Sequence, residues 1–186
     1  KQDKISHQLM AISPIDGRYY NKTKSLNYFF SEFGLMRYRV FLEIEYFCFL
    51  TEELPHIFNK FTDDCRSSFR QIYTDFNIKD ACRIKEIEAS TNHDVKAVEY
   101  FLKLKYKNYQ IGPMEYLEYI HFGLTSQDIN TSSVSLSIKD GIRVVLLPTL
   151  YNLYDNLFRK YQLWSNIPML SRTHGQAASP TFLGKE

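Results

Sequence analysis

Apolar residues recur three or four positions apart along most of the chain. Residues 24–51 carry Leu26, Phe29, Phe30, Phe33, Val40, Ile44, Phe47 and Leu50, a spacing that lines one face of a helix. Gly34 weakens the middle of this segment, and Pro55 marks a stop soon after it. Phe58, Phe61, Cys65, Phe69, Ile72, Tyr73 and Phe76 predict a second helix at the same spacing. Asp80 is placed to cap a short third helix that runs through Glu88. The stretch STNHD then interrupts the pattern: Ser90, Thr91, Asn92 and Asp94 all favour caps and turns over helix interiors. Val95, Val98, Phe101, Leu102 and Lys105 restart a helix.

A polar YKNYQ leads into IGPMEYLEYIHFG, which reads as a linker and a short helix ending at Gly123. This places a domain boundary near residue 111. From Ser126 one very long helix is expected to reach about Trp164. Ile129, Leu136, Leu150, Leu157 and Trp164 fall on a single seven-residue repeat, with Arg143 at its remaining position. A repeat of that length suggests packing against other long helices. Pro148 inside it should kink or break it. No strand-period alternation is strong enough to claim a sheet, so the expected class is all-α.

Composition narrows the picture. With 14 Phe and 14 Tyr among 186 residues, a sizeable aromatic core is within reach. The net charge is +2 and the basic residues are scattered. The cluster KLKYK, Lys103 to Lys107, reads as a solvated helix face rather than a nucleic-acid surface. No apolar run approaches a membrane span; VVLLPTL is short and contains Pro148. The amino-terminal KQDKISHQLM lacks a signal-peptide core. Cys48, Cys65 and Cys82 sit 17 residues apart, neither a disulfide framework nor a metal spacing. They read as small core residues of a reducing compartment. A cytosolic protein without a structural metal is expected.

Four polar patches interrupt the helical pattern. In SPIDGRYY, Pro14 and Gly17 make a turn, and Arg18 beside Tyr19 suits an anionic group or is simply a surface arginine. In STNHDV, Asn92, His93 and Asp94 sit at a helix start, where free N–H groups favour an anion. Capping alone would explain Asn92 or Asp94 but not His93 between them. In HFGLTSQDIN, Gly123 lets the backbone turn, and Thr125 or Ser126 precedes a helix with Asp128 in its first turn. This is either an N-cap or a carboxylate site built from hydroxyls and backbone N–H groups. In LSRTHGQAASP, His174 is either a loop histidine or a proton carrier near neutral pH. His7, His56 and His121 have no comparable setting and are read as structural or surface residues.

Together the patches SPIDGRY, STNHDVKAVEYFL, HFGLTSQDIN and SRTHGQAASPTFLGKE resemble the adenylosuccinate lyases of the fumarase and aspartase superfamily, in order and at plausible intervals. NHDVKAVEYF is the most specific piece; TSQDIN and THGQ are shared more widely. Ser90 stands where threonine is commoner, and Ala177-Ala178 where a proline is common. The resemblance implies β-elimination of fumarate from adenylosuccinate to give AMP, and from the succinylated aminoimidazole carboxamide ribotide. It implies no metal or organic cofactor, and a small-molecule nucleotide as partner. It implies that His174 is the general acid, that Arg18 and Tyr19 contact the phosphate side of the nucleotide, that Asn92, His93 and Asp94 lie near the succinyl group, and that Thr125 and Ser126 hold a fumarate carboxylate.

In this family the general base is a serine on a Gly-Ser-Ser loop that lies well beyond residue 186. The chain is therefore expected to be an amino-terminal fragment, inactive alone, whether by design, proteolysis or gene truncation. Residues 1–111 would form the N-terminal helical domain and 112–186 the start of a central long-helix bundle. The parent would be a cytoplasmic homotetramer with active sites shared between three subunits, and the fragment would self-associate through its long helix. Two other readings remain: another fumarate-releasing eliminase, such as argininosuccinate lyase or a carboxymuconate cycloisomerase relative, and a non-catalytic helical assembly module.

Overall fold

The computed structural model describes residues 9–186; His7 and most of the amino-terminal decapeptide lie outside these. Six longer helices occur among the described residues. They are α1 (Glu32–Glu53), α2 (Asp63–Thr74), α3 (Ile78–Thr91), α4 (Asp94–Asn108), α5 (Ser126–Gly141) and α6 (Leu147–Trp164). Two strands follow, β1 (Pro168–Thr173) and β2 (Gln176–Phe182). The described residues are 67% helical, which makes the class all-α with one small hairpin added. It divides into two compact units, one ending at Gly141 and one beginning at Ile142.

In the first unit, the apolar stretch 24–51 is not one helix. Short helical turns up to Phe30 precede α1, and the chain breaks at Ser31, whose backbone is extended (φ −78°, ψ 168°) and whose Oγ accepts the Gly34 N–H at 3.1 Å. Gly34 therefore sits in the first turn of α1 rather than mid-helix. A Cβ there would lie 2.8 Å from the carbonyl carbon and oxygen of Phe29. The glycine is present for close backbone approach, not as a weak point.

Polar caps rather than apolar spacing set the next two helix starts. Thr62 caps α2, with Asp63 and Asp64 in its first turn, where carboxylates complement the helix dipole. Phe58 and Phe61 lie before this helix and Phe76 after it, yet all three are buried. Asn77, not Asp80, caps α3: its Oδ1 accepts the Lys79 N–H at 2.9 Å, while Asp80 reaches back to the Asn77 N–H at 3.2 Å. That reciprocal box starts a helix that runs on to Thr91 rather than stopping at Glu88.

The core of the first unit joins α1, α2, α3 and α4 to the segment after α4. Phe47 is at its centre, with the rings of Phe61 and Phe69 each 5.3 Å away and nearly perpendicular. Edge-on pairs of this kind contribute about 0.5–1.5 kcal/mol beyond their area burial. Ile111, Tyr116, Leu117 and Ile120 belong to the same core, so the segment beyond residue 111 packs with the helices before it. Cys48 is buried there, and burial pushes its thiol up to about 12. Cys82 is exposed, so the three cysteines do not all serve as core residues.

The helical run expected from Ser126 does reach Trp164, as α5, a π-helical turn and α6 in direct succession. α5 ends at Gly141, a π-helical turn spans Ile142–Leu146, and α6 starts at Leu147 with Pro148 in its first turn. The π-helical turn lies just before Pro148, where a proline's ring and missing N–H disturb the α-helical ladder, as expected of Pro148.

In the second unit, β1 and β2 pair antiparallel, closing at Thr173 opposite Gln176. The two residues between them, His174 and Gly175, both have positive φ (52° and 78°), as a two-residue type I′ hairpin turn requires. An irregularity between Leu170 and Arg172 is bridged by Ser171, whose Oγ donates to the Ser179 carbonyl at 2.9 Å and accepts its N–H at 3.2 Å. The sequence reading that found no sheet is corrected here. Almost every hairpin residue is solvent-accessible on both faces, so no apolar–polar alternation marks the strands.

Candidate functional site

Two helix starts of the first unit carry most of the candidate residues. At the α3–α4 junction, Asn92 is the left-handed C-cap of α3 (φ 52°), its N–H bonded to the Glu88 carbonyl at 2.8 Å. His93 is extended and is itself the N-cap of α4: its Nδ1 accepts the Lys96 N–H at 3.1 Å. The residue that capping did not explain in the sequence is the cap. With Nδ1 as acceptor, the neutral ring carries its proton on Nε2, a donor available to a ligand. Asp94 opens α4; its Oδ1 accepts the Val95 N–H at 2.8 Å and its Oδ2 meets Arg39 Nη2 at 2.5 Å. Burial alone would raise the Asp94 carboxyl. The Val95 N–H and the Arg39 charge outweigh it and hold the group below its usual range.

At the α5 start, Asp128 reaches back to Thr125, accepting its N–H at 2.7 Å and its hydroxyl at 3.0 Å. Those bonds hold the Asp128 carboxyl low. Ser126 is the first residue of α5. The loop feeding this helix bends through His121 (φ 67°) and Gly123 (φ 73°).

A polar stripe on α1 ties these segments down. Arg39, Glu43 and Tyr46 lie four and three residues apart, hence on one helix face. Arg39, with its side chain 8% exposed, bridges Asp94 and the Asn130 Oδ1, the latter accepting from Nε at 2.9 Å. Glu43, wholly buried, pairs with His121 Nδ1 at 2.6 Å. Tyr46 donates to the Phe122 carbonyl at 2.9 Å. Burial pushes the Glu43 carboxyl up, and the His121 contact only partly offsets it. The bond to Glu43 raises His121 despite its own burial. Beside His121 lies a cleft of about 780 Å³ whose walls include Lys96, Glu99, Tyr100 and Lys103. Two of its lysines are engaged: Lys96 and Lys103 both pair with Glu99, at 2.7 and 3.0 Å.

The remaining candidates belong to other segments of the chain. Arg18 and Tyr19 sit on a turn held by the Gly17 N–H to the Ser13 carbonyl (3.0 Å) and the Tyr19 N–H to the Pro14 carbonyl (2.8 Å). The Arg18 guanidinium is 5.7 Å from the Tyr19 ring centroid, and both residues are exposed. His174 belongs to the second unit, exposed at the tip of the hairpin. The structure therefore groups Asn92, His93 and Asp94 with the Thr125–Ser126 helix start through Arg39 and Asn130.

Sequence reasoning missed Arg39, Glu43, Tyr46 and Asn130, and read His121 as structural or surface without finding its partner. The available signal was three polar residues at helical spacing inside an apolar helix, next to Val40, Ile44 and Phe47. Chemically, the junction offers two helix N-termini, a hydroxyl and an imidazole N–H, donors suited to carboxylates. Among the described residues no three potential metal ligands cluster, and no helix is long and apolar enough to cross a membrane.

A family model described as lyase matches residues 31–186. The adenylosuccinate lyase of Dictyostelium discoideum is 47% identical over 183 residues, covering 97% of this chain and 39% of that protein. Those of Vibrio cholerae and Escherichia coli are 46% and 42% identical, each across 96% of this chain and 39% of their own length. The chain thus spans about two fifths of the length of these curated relatives. A solved fumarate lyase from Mesorhizobium sp. BNC1 superposes with a TM-score of 0.63 at 20% identity, covering 87% of this chain and 35% of that one, a likeness of fold.

Proposed function

The chain belongs to the lyase family, and from that premise we propose that it supplies the substrate-binding helix starts and the general acid of an adenylosuccinate lyase. The observation that carries this reading is the joining of Asp94, at the start of α4, to Asn130, in the second turn of the α5 helix that Ser126 opens, through one buried arginine. Identity above 40% with adenylosuccinate lyases supports the choice of substrate.

In this reading, adenylosuccinate loses a proton from the carbon beside a carboxylate, the carbon–nitrogen bond breaks, and fumarate leaves. His174 donates a proton to the departing amine nitrogen of AMP. Asn92, His93 and Asp94 orient the succinyl group, the α5 start with Thr125 and Ser126 holds a carboxylate, and Arg18 with Tyr19 meets the phosphate. The same chemistry applies to the succinylated aminoimidazole carboxamide ribotide of purine biosynthesis. The base that takes the carbon proton lies, by family resemblance, on a serine loop outside these residues. The whole protein is proposed to be a cytoplasmic homotetramer, with 112–186 opening its central bundle.

The test is His174→Ala in the full-length protein, assayed by fumarate release from adenylosuccinate with argininosuccinate as control substrate. A positioned general acid contributes about 10²- to 10⁴-fold, so kcat should fall by that order while the fold survives. A near wild-type rate removes His174 from the mechanism; preference for argininosuccinate replaces the substrate.

A further inference from the structure

Arg39 is buried, and its guanidinium has two neighbours from distant parts of the chain: Asp94 at the start of α4 and Asn130 in α5. A buried guanidinium is costly unless its donors are paired, so α4 and α5 are held where both pairings can form. Its Nη2 contact to Asp94 is 2.5 Å and its Nε contact to Asn130 is 2.9 Å, which ties the first residue of α4 to the second turn of α5. We propose that Arg39 is a positioning residue for substrate binding: it does not touch the ligand but sets the spacing between the Asn92–Asp94 segment and the Thr125–Ser126 segment. The geometry of the two pairings is independent of any substrate; their bearing on adenylosuccinate rests on the function proposed above.

The two-pronged contact needs arginine. A lysine ammonium is a compact point charge without a planar fork, so it can keep the Asp94 pairing but not Asn130 as well. Methionine fills a similar volume without charge, but it removes only one partner and leaves Asp94 and Asn130 without their donor. Asp94 tolerates the exchange because its side chain is 44% exposed and can hydrate.

The experiment compares Arg39→Lys and Arg39→Met with wild type in the full-length protein by steady-state kinetics on adenylosuccinate, thermal unfolding, and amide hydrogen exchange over residues 93–98 and 125–131. Misplacement by about an ångström costs on the order of a hundredfold. KM should therefore rise about ten- to a hundredfold in Arg39→Met, with Arg39→Lys between it and wild type, and kcat should change only a few-fold. Exchange should quicken at both helix starts and not in α2. Unchanged KM overturns the proposal, as does a loss of activity that tracks a lower Tm at constant KM, the signature of a purely structural residue. If wild type does not turn over adenylosuccinate, the functional reading fails separately; exchange then decides the clamp, and unaltered protection at both helix starts overturns it.

Discussion

Glu43 is a carboxyl with no exposed surface, and its one recorded hydrogen bond is to a histidine at 2.6 Å. Burial raises Glu43, and the bond to Glu43 raises His121 above its ordinary 6.5. Both shifts mean that the folded state binds protons more tightly than the unfolded one. For such a group, stability is full below the unfolded pKa and is lost as pH rises through the folded pKa. The chain should therefore lose thermal stability above about pH 6.5 as His121 gives up its proton. Glu43→Gln removes the charge that raises His121, so the slope of Tm against pH on the alkaline side should flatten. Melting curves between about pH 6 and 9 read this directly; an identical slope in the variant removes the pair as its source. At this scale the sequence was legible for His93 and Asp94, which interrupt a helical pattern. It was opaque for Arg39, Glu43 and His121, whose roles depend on partners many tens of residues away.

Between Phe30 and Gly34 helix propensity and packing make opposite predictions. By propensity, alanine in place of a helical glycine is worth roughly 0.5–1 kcal/mol in its favour. By geometry, the new Cβ would stand 2.8 Å from backbone atoms of Phe29 and Tyr28, which cannot rotate away. Overpacking of this kind costs about 1–3 kcal/mol, so after the propensity gain Gly34→Ala should still destabilise, by up to about 2 kcal/mol net, measured by urea unfolding. A stabilised variant would show that the Asn27–Phe30 turn can slide off α1. The same contrast explains which elements the sequence disclosed. α1 and α4 bury one apolar face, and their period survives in the residue order. The break at Ser31 was hidden because Phe29, Phe30 and Phe33 carry the apolar period across it. The β1–β2 hairpin was hidden because neither face is covered, leaving only the positive-φ His174-Gly175 turn to mark it.

At the scale of the whole chain, the second unit is distinguished by α6, none of whose residues is buried. Leu150, Tyr154, Leu157 and Tyr161 follow one another at four, three and four positions and are 48%, 60%, 58% and 52% exposed, so they form one apolar stripe. A helix draws most of its stability from packing such a face, and a soluble surface rarely leaves one this large open. The seven-residue repeat through Leu150 and Leu157 carries the same signal in the sequence, since it is the period of helices that pack on other helices. The polypeptide of residues 1–186 is accordingly expected to self-associate through α6, in keeping with the tetramer proposed for the whole protein. Light scattering after size exclusion should give a mass of at least two 22.0 kDa chains. Replacing Leu150 and Leu157 together by Glu places charge in the stripe and should return the mass to one chain, because an unpaired buried charge is strongly unfavourable. A wild-type chain that runs as a monomer with α6 still helical would mean that the stripe needs no partner, and would remove the helix as the assembly surface.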